Sequence, residues 1–171
     1  MQSLLFLYGS ETGTAEDIAG CLWKEARLLN VPARLYGLDE YDIEVLPVEC
    51  VVVFVVATTG QGEIPPNMRK AWSTLLRKSH GPDWMQNKSL DRLQVRFAVL
   101  GLGDSSYQKF NFASKKVYRR LLQLGGKCLL DIGLVIAYRA TNRETYLWCN
   151  RLICLNQFKL LWKHLNIQKT C

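Results

Sequence analysis

The chain has 171 residues, 49% hydrophobic and 22% charged, with a formal net charge of +7 and a pI near 9.2. That length and apolar content are enough for one compact domain with a real core, and they exclude wholesale disorder. Residues 1–134 hold 16 basic and 14 acidic side chains, whereas 135–171 hold six basic side chains and a single acid, Glu144; the excess charge sits in the last segment, and with no nucleic-acid-binding motif beside it, it argues against a nucleic-acid partner.

Strands and helices alternate along the chain. Residues 4–8 form an unbroken apolar run, the mark of a strand covered on both faces. Residues 15–29 predict a helix with Ile18, Leu22, Ala26 and Leu29 on one stripe. A short strand over 33–38 is followed by an acidic connection carrying Asp39, Glu40, Asp42, Glu44 and Glu49. Residues 51–57, Val-Val-Val-Phe-Val-Val-Ala, have the β-branched density of a central strand. Pro65 and Pro66 open a helix to about Leu76, with Met68, Trp72 and Leu75 at core spacing. Residues 79–92 read as a long polar surface connection, 95–101 as a fourth strand, and 110–124 as a helix with Val117, Leu121 and Leu124 inward. Gly125 and Gly126 stop that helix, and 127–134 predict a fifth strand. The expectation is an α/β fold: a doubly wound, five-stranded parallel sheet of order 2-1-3-4-5, whose ligands bind beyond the carboxyl ends of the strands.

Three loops fall at that end. The first, Gly9-Ser10-Glu11-Thr12-Gly13-Thr14-Ala15, joins a buried strand to a helix. Its small and hydroxyl residues allow backbone N–H groups and the helix dipole to meet a phosphate. It has neither the lysine of a Walker A loop nor the GxGxxG of a dinucleotide site, so a phosphomonoester held by neutral donors fits best. The same residues would also serve as a capped helix start without a ligand. The second loop, Ala57-Thr58-Thr59-Gly60-Gln61-Gly62-Glu63, suits a flat heterocycle against backbone, or an ordinary glycine-rich turn. In the third, Gly101-Leu102-Gly103-Asp104-Ser105-Ser106-Tyr107-Gln108-Lys109-Phe110-Asn111, Tyr107 offers an aromatic face and Asn111 an amide. Their coincidence at one end of neighbouring strands carries more weight than any one of them.

Other chemistry is poorly represented. Cys21, Cys50, Cys128, Cys149, Cys154 and Cys171 form no CxxC pair, and there are only two histidines, so zinc spacing is absent and the thiols read as structural. No apolar run approaches the ~20 residues of a membrane span, and the first residues lack a basic signal region. A cytoplasmic location is the expectation.

The three loops resemble the FMN loops of diflavin reductases of the cytochrome P450 reductase type. The stretch Gln61-Gly62-Glu63-Ile64-Pro65-Pro66-Asn67-Met68-Arg69-Lys70, with residues 104–126, is similar more narrowly to the FMN domains of the NADPH-dependent diflavin oxidoreductases of cytosolic iron–sulfur protein assembly. The resemblance covers about residues 1–134. It implies that Ser10, Glu11, Thr12, Gly13, Thr14 and Ala15 hold the FMN phosphate. Ala57, Thr58, Thr59 and Gly60, with Gln61 and Gly62 beside them, line the isoalloxazine. Leu102, Gly103, Asp104, Ser105, Ser106, Tyr107, Gln108, Lys109, Phe110 and Asn111 complete the pocket, with Tyr107 stacked on the ring. P450 reductase has a tyrosine where this chain has Thr59, which implies a less covered flavin face. No catalytic side chain and no metal are implied: the flavin carries the redox chemistry.

For the full enzyme, the resemblance implies a hydride taken from NADPH onto FAD, passed as electrons to FMN and on to an iron–sulfur protein such as anamorsin. Nothing in this chain resembles the FAD and NADPH module, so it is not expected to oxidise NADPH alone. The acids Asp39, Glu40, Asp42, Glu44 and Glu63 would steer a basic docking face, or form a solvated acidic loop. In the family an acidic segment follows the fifth strand and sets an aspartate beside the flavin; residues 135–141 here contain no acid. Residues 143–165 are instead basic and apolar, with Trp148, Leu152, Leu155, Trp162 and Leu165 at helical spacing. The chain therefore divides into 1–134, the FMN-binding domain, and 135–171, a divergent basic segment expected to be helical. This segment either replaces the last helix of the sheet or is the product of an alternative transcript or reading frame. Beside the diflavin reading stand a free-standing flavodoxin-like carrier and an interaction module that has lost FMN.

Overall fold

The computed structural model describes residues 3–87, 93–106 and 108–136. A parallel sheet is built from β1 (Leu4–Gly9), β2 (Ala33–Gly37), β3 (Val51–Ala57), β6 (Arg96–Gly103), and the short β7 (Lys127–Cys128) and β8 (Gly133–Ile136). The order is β2-β1-β3-β6-β7, with β8 also paired to β6. With β7 and β8 counted as one interrupted strand, this is the expected order 2-1-3-4-5.

The strands read as unbroken apolar runs because both faces are covered. Successive side chains point to opposite sides, and the burial follows. Leu5, Leu7, Val52, Phe54, Val56, Phe97 and Val99 join one core with α2 (Arg69–Leu75) and α3 (Phe112–Gln123). Leu4, Phe6, Val51, Val53, Val55, Ala98, Leu100 and Leu102 join a second core with α1 (Thr14–Leu28). On α1, Ile18, Leu22 and Ala26 are buried as expected. Leu29 is not: it lies just past the helix end and is 40% exposed. Val117, Leu121 and Leu124 are buried. After them Gly125 turns with φ +86°, and the Gly126 N–H donates to the Leu121 carbonyl at 3.0 Å.

Four predicted segments change shape. The helix expected from Pro65 begins as a 3-10 turn over Pro66–Met68. The acidic connection contains a 3-10 helix, Ile43–Val48, started by Asp42, whose Oδ1 accepts the Glu44 N–H. The polar connection 79–92 includes a small antiparallel pair, β4 (Gln86–Asn87) with β5 (Leu93–Gln94). The fifth strand is broken because Leu129 and Leu130, though consecutive, both pack on the α1-side core. Regular alternation fails there, and exposed Asp131 follows. The expected helix within 143–165 lies outside the described residues.

Candidate functional site

The carboxyl ends of β1, β3 and β6 are adjacent, since Gly9 pairs with Val56 and Ala57 with Leu102. The three loops picked out by sequence therefore leave the same edge side by side.

In the first loop Gly13 takes φ +89°, which turns the chain into α1. Buried Ser10 organises the turn: its Oγ accepts the N–H groups of Gly13 at 3.0 Å and Ala15 at 3.2 Å. Its own backbone N–H donates to Asn67 Oδ1 at 2.7 Å. With both lone pairs of its hydroxyl used, Ser10 keeps its O–H as a donor. Among the described residues nothing accepts from the N–H groups of Glu11, Thr12 and Thr14. The Oγ1 atoms of Thr12 and Thr14 lie 3.4 Å apart and are exposed to solvent. This is a neutral donor set at a helix start, which suits a phosphomonoester. Ala15 is fully buried and contributes only its backbone.

The second loop is a tight turn. Thr59 and Glu63 bridge, with Glu63 N–H donating to the Thr59 carbonyl at 2.8 Å and Thr59 N–H to the Glu63 carbonyl at 3.2 Å. Gly60 and Gly62 have φ of +47° and +88°. Thr58 ties this loop to the third: its N–H donates to the Leu102 carbonyl at 2.9 Å, and its Oγ1 accepts the Ala113 N–H at 3.3 Å.

In the third loop Asp104 Oδ1 accepts both the N–H of Ser106 at 2.9 Å and its Oγ–H at 2.7 Å. Asn111 is fully buried with φ +53° and starts α3. It sits so close to β6 that a Cβ on Gly103 would lie 2.8 Å from its Oδ1. Between the second and third loops opens a cleft of about 310 Å³. Thr58, Gly60 and Gln61 line one side; Gly103, Asp104, Lys109, Phe110 and Asn111 line the other.

The expected site residues thus separate into groups. Thr58, Gly60, Gly103, Asp104, Lys109, Phe110 and Asn111 share the cleft. Ser10, Glu11, Thr12, Gly13, Thr14 and Ala15 form the neighbouring helix-start turn. Ala57, Thr59, Ser105, Ser106 and Gln108 flank the cleft without lining it, and Leu102 turns its side chain into the α1-side core. Tyr107 lies outside the described residues. The sequence reading missed Asn67 as the support of Ser10; its place within the quoted 61–70 stretch was the available signal. Phe110, expected inside the helix, precedes it and faces the cleft.

Carboxylates in the acidic segment are engaged within the fold. Asp39 accepts the N–H groups of Lys70 and Ala71, and Glu40 that of Gly37. Glu44 meets Arg77 and His80, and buried Glu49 meets Arg34 and the Tyr41 hydroxyl. Tyr8, at the foot of the first loop, is pushed up to about 12 by burial and by the negative field of Glu16 and Glu40.

Adjacent loops at the carboxyl edge of a 2-1-3-4-5 sheet define a flavodoxin-like domain, and the chain belongs to the flavodoxin family, whose model matches residues 6–146. Solved structures agree on the fold: oxidised Flavodoxin 1 from Bacillus cereus superposes with TM-score 0.71 at 19% identity, covering 95% of this chain and 99% of that one. Flavodoxin 2 from Bacillus cereus gives 0.71 at 22% identity, covering 94% and 98%. Among curated proteins, the chain is similar to NADPH-dependent diflavin oxidoreductase 1 of Danio rerio, 51% identical over 132 residues (77% of this chain, 21% of the relative). The Mus musculus protein of the same name is 53% identical over 127 residues (74% and 20%). The chain spans about a fifth of the length of these relatives. No helix among the described residues is long and apolar enough to cross a membrane.

Proposed function

We propose that this chain is an FMN-binding electron-transfer module of the diflavin oxidoreductase kind. FMN supplies one- and two-electron redox chemistry; the protein binds and orients it. The turn from Ser10 to Ala15 takes the phosphate on the N–H groups of Glu11, Thr12 and Thr14 and the hydroxyls around them. The cleft between Thr58–Gly60 and Gly103–Asn111 takes the isoalloxazine, with Tyr107 covering it. Gly60 and Gly62 let backbone approach a flat ring, and Asp104 and Lys109 set the charge at its edge. In this reading electrons reach FMN from an FAD/NADPH module and leave to an iron–sulfur protein of cytosolic assembly such as anamorsin, in the cytoplasm. Support for the source and acceptor is the similarity to the diflavin oxidoreductases.

The observation that carries the proposal is the adjacency of an unfilled N–H turn at the start of α1 and the cleft beside it. The test is titration of the purified chain with FMN. The expected result is quenched FMN fluorescence, a flavin absorbance that stays with the protein on gel filtration, and a raised Tm. Binding at ligand near 100 times Kd stabilises by about 2.7 kcal/mol. A folded chain that stays colourless, with no melting shift, overturns the reading.

A further inference from the structure

We infer that the exposed face of α3 beside the cleft is a docking surface for an acidic protein. This rests on the electron-transfer reading, because the surface adjoins the flavin cleft. Between Asp104 and Asp131 the sequence carries six lysines or arginines and no acid. Arg120 turns to the carbonyls of Leu75 and Arg77. Lys109, Lys116 and Arg119 are exposed, and Lys115 is half-buried.

Among the described residues no ion pair engages these four cations; the arginine ion pairs there belong to Arg34 and Arg77. Glu44 and Glu49 are paired with Arg77 and Arg34 within the fold. The cations of the α3 face have no such carboxylate partners among the described residues, so that face presents positive charge.

The patch is continuous with the cleft. Lys109 and Phe110 line it. Lys115 Nζ donates to the Phe110 carbonyl at 3.0 Å and stands 5.5 Å from its ring centroid. The next residue, Lys116, has its Nζ 4.5 Å from the ring of Phe112, which is 40% exposed. Cations over aromatic rings give a pre-ordered surface of apolar and positive character. Both rings are capped by ammonium groups, so neither is a bare platform for stacking bases; an acidic protein fits better than single-stranded nucleic acid. In a transient electron-transfer complex, complementary charge acts chiefly on the association rate.

The experiment uses the full chain with K116E and R119E, two exposed positions outside the cleft, combined in one variant whose Tm is compared with the parent. Three probes are used: an acidic blue-copper protein, a basic c-type cytochrome and a thymidine oligonucleotide. In the FMN-loaded, chemically reduced chain, each encounter with the copper protein moves one electron from flavin to Cu(II), giving Cu(I). The expected rate falls as salt is added, and falls about tenfold in the variant at low salt. The rate with the basic cytochrome is unchanged or raised.

A second readout needs no flavin: amide shifts of the labelled chain on adding the Cu(I) protein should centre on α3 and vanish in the variant. A chain that does not hold FMN loses the kinetic readout only, and the shifts still decide. An unchanged rate and shift pattern in the variant, shifts centred elsewhere, or a preference for the cytochrome or the oligonucleotide overturns the inference.

Discussion

Asn67 holds the backbone of Ser10 from 57 residues away in sequence, its Oδ1 accepting the Ser10 N–H at 2.7 Å. Ser10 in turn holds Gly13 and Ala15. The turn that opens α1 is thus fixed from outside itself. Asn67→Ala should weaken FMN binding about fivefold, since one such hydrogen bond contributes about 1 kcal/mol. Fluorescence titration measures it, and an unchanged Kd would show that the turn holds its shape alone.

Gly103 faces Asn111 so closely that an added Cβ would lie 2.8 Å from Oδ1 and 3.0 Å from the backbone N. Gly103→Ala should destabilise the fold by about 1–3 kcal/mol, the usual cost of overpacking. It should also widen the cleft side formed by Asn111. Urea unfolding of the two proteins, with equal m-values, gives the number.

Asp39 accepts the first N–H groups of α2, from Ala71 at 2.8 Å and Lys70 at 3.3 Å. Asp39→Ala should cost about 1 kcal/mol of stability, as loss of a helix cap does, and Asp39→Asn less. If the acid instead served only to steer a partner, both variants would unfold like the parent.

Tyr8 is protonated in the fold to about pH 12, against about 10 for a free phenol. Between those values the unfolded chain holds fewer protons than the folded one, so stability falls with rising pH. The contribution is complete below about pH 10 and is lost as pH climbs towards 12. Tyr8→Phe should flatten part of that decline. Tyr41, raised by burial and by Glu49, adds to the slope and keeps the remainder. Denaturation midpoints measured across this range test the sign; a parent curve that rises there would refute it.

The sheet was legible from residues 4–8 and 51–57 because a strand covered on both faces needs apolar side chains at every position. The carboxyl-end loops followed from the strand ends. The broken fifth strand was not legible: Lys-Cys-Leu-Leu-Asp-Ile-Gly-Leu has ordinary strand composition, and only the two core faces reveal that Leu129 and Leu130 share one. Leu29 sat on the apolar stripe, but the helix ends before it. The support of Ser10 by Asn67 joins residues 57 apart, so nothing around Ser10 shows it and only the 61–70 stretch pointed to it. The acids of 39–49 read as a charged run because their partners, such as the N–H groups of α2 and Arg34, lie elsewhere in the chain.

Among the described residues, the split pair β7 and β8 forms the border of the sheet beyond β6. β7 pairs only with Arg96 and Phe97, and β8 only from Leu100 onward. A neighbouring molecule meeting that border finds two short stubs out of line with one another, not one straight row of amide groups. An interrupted border is a poor template for adding strands from another chain, which protects a sheet this rich in valine and leucine from self-association into fibres.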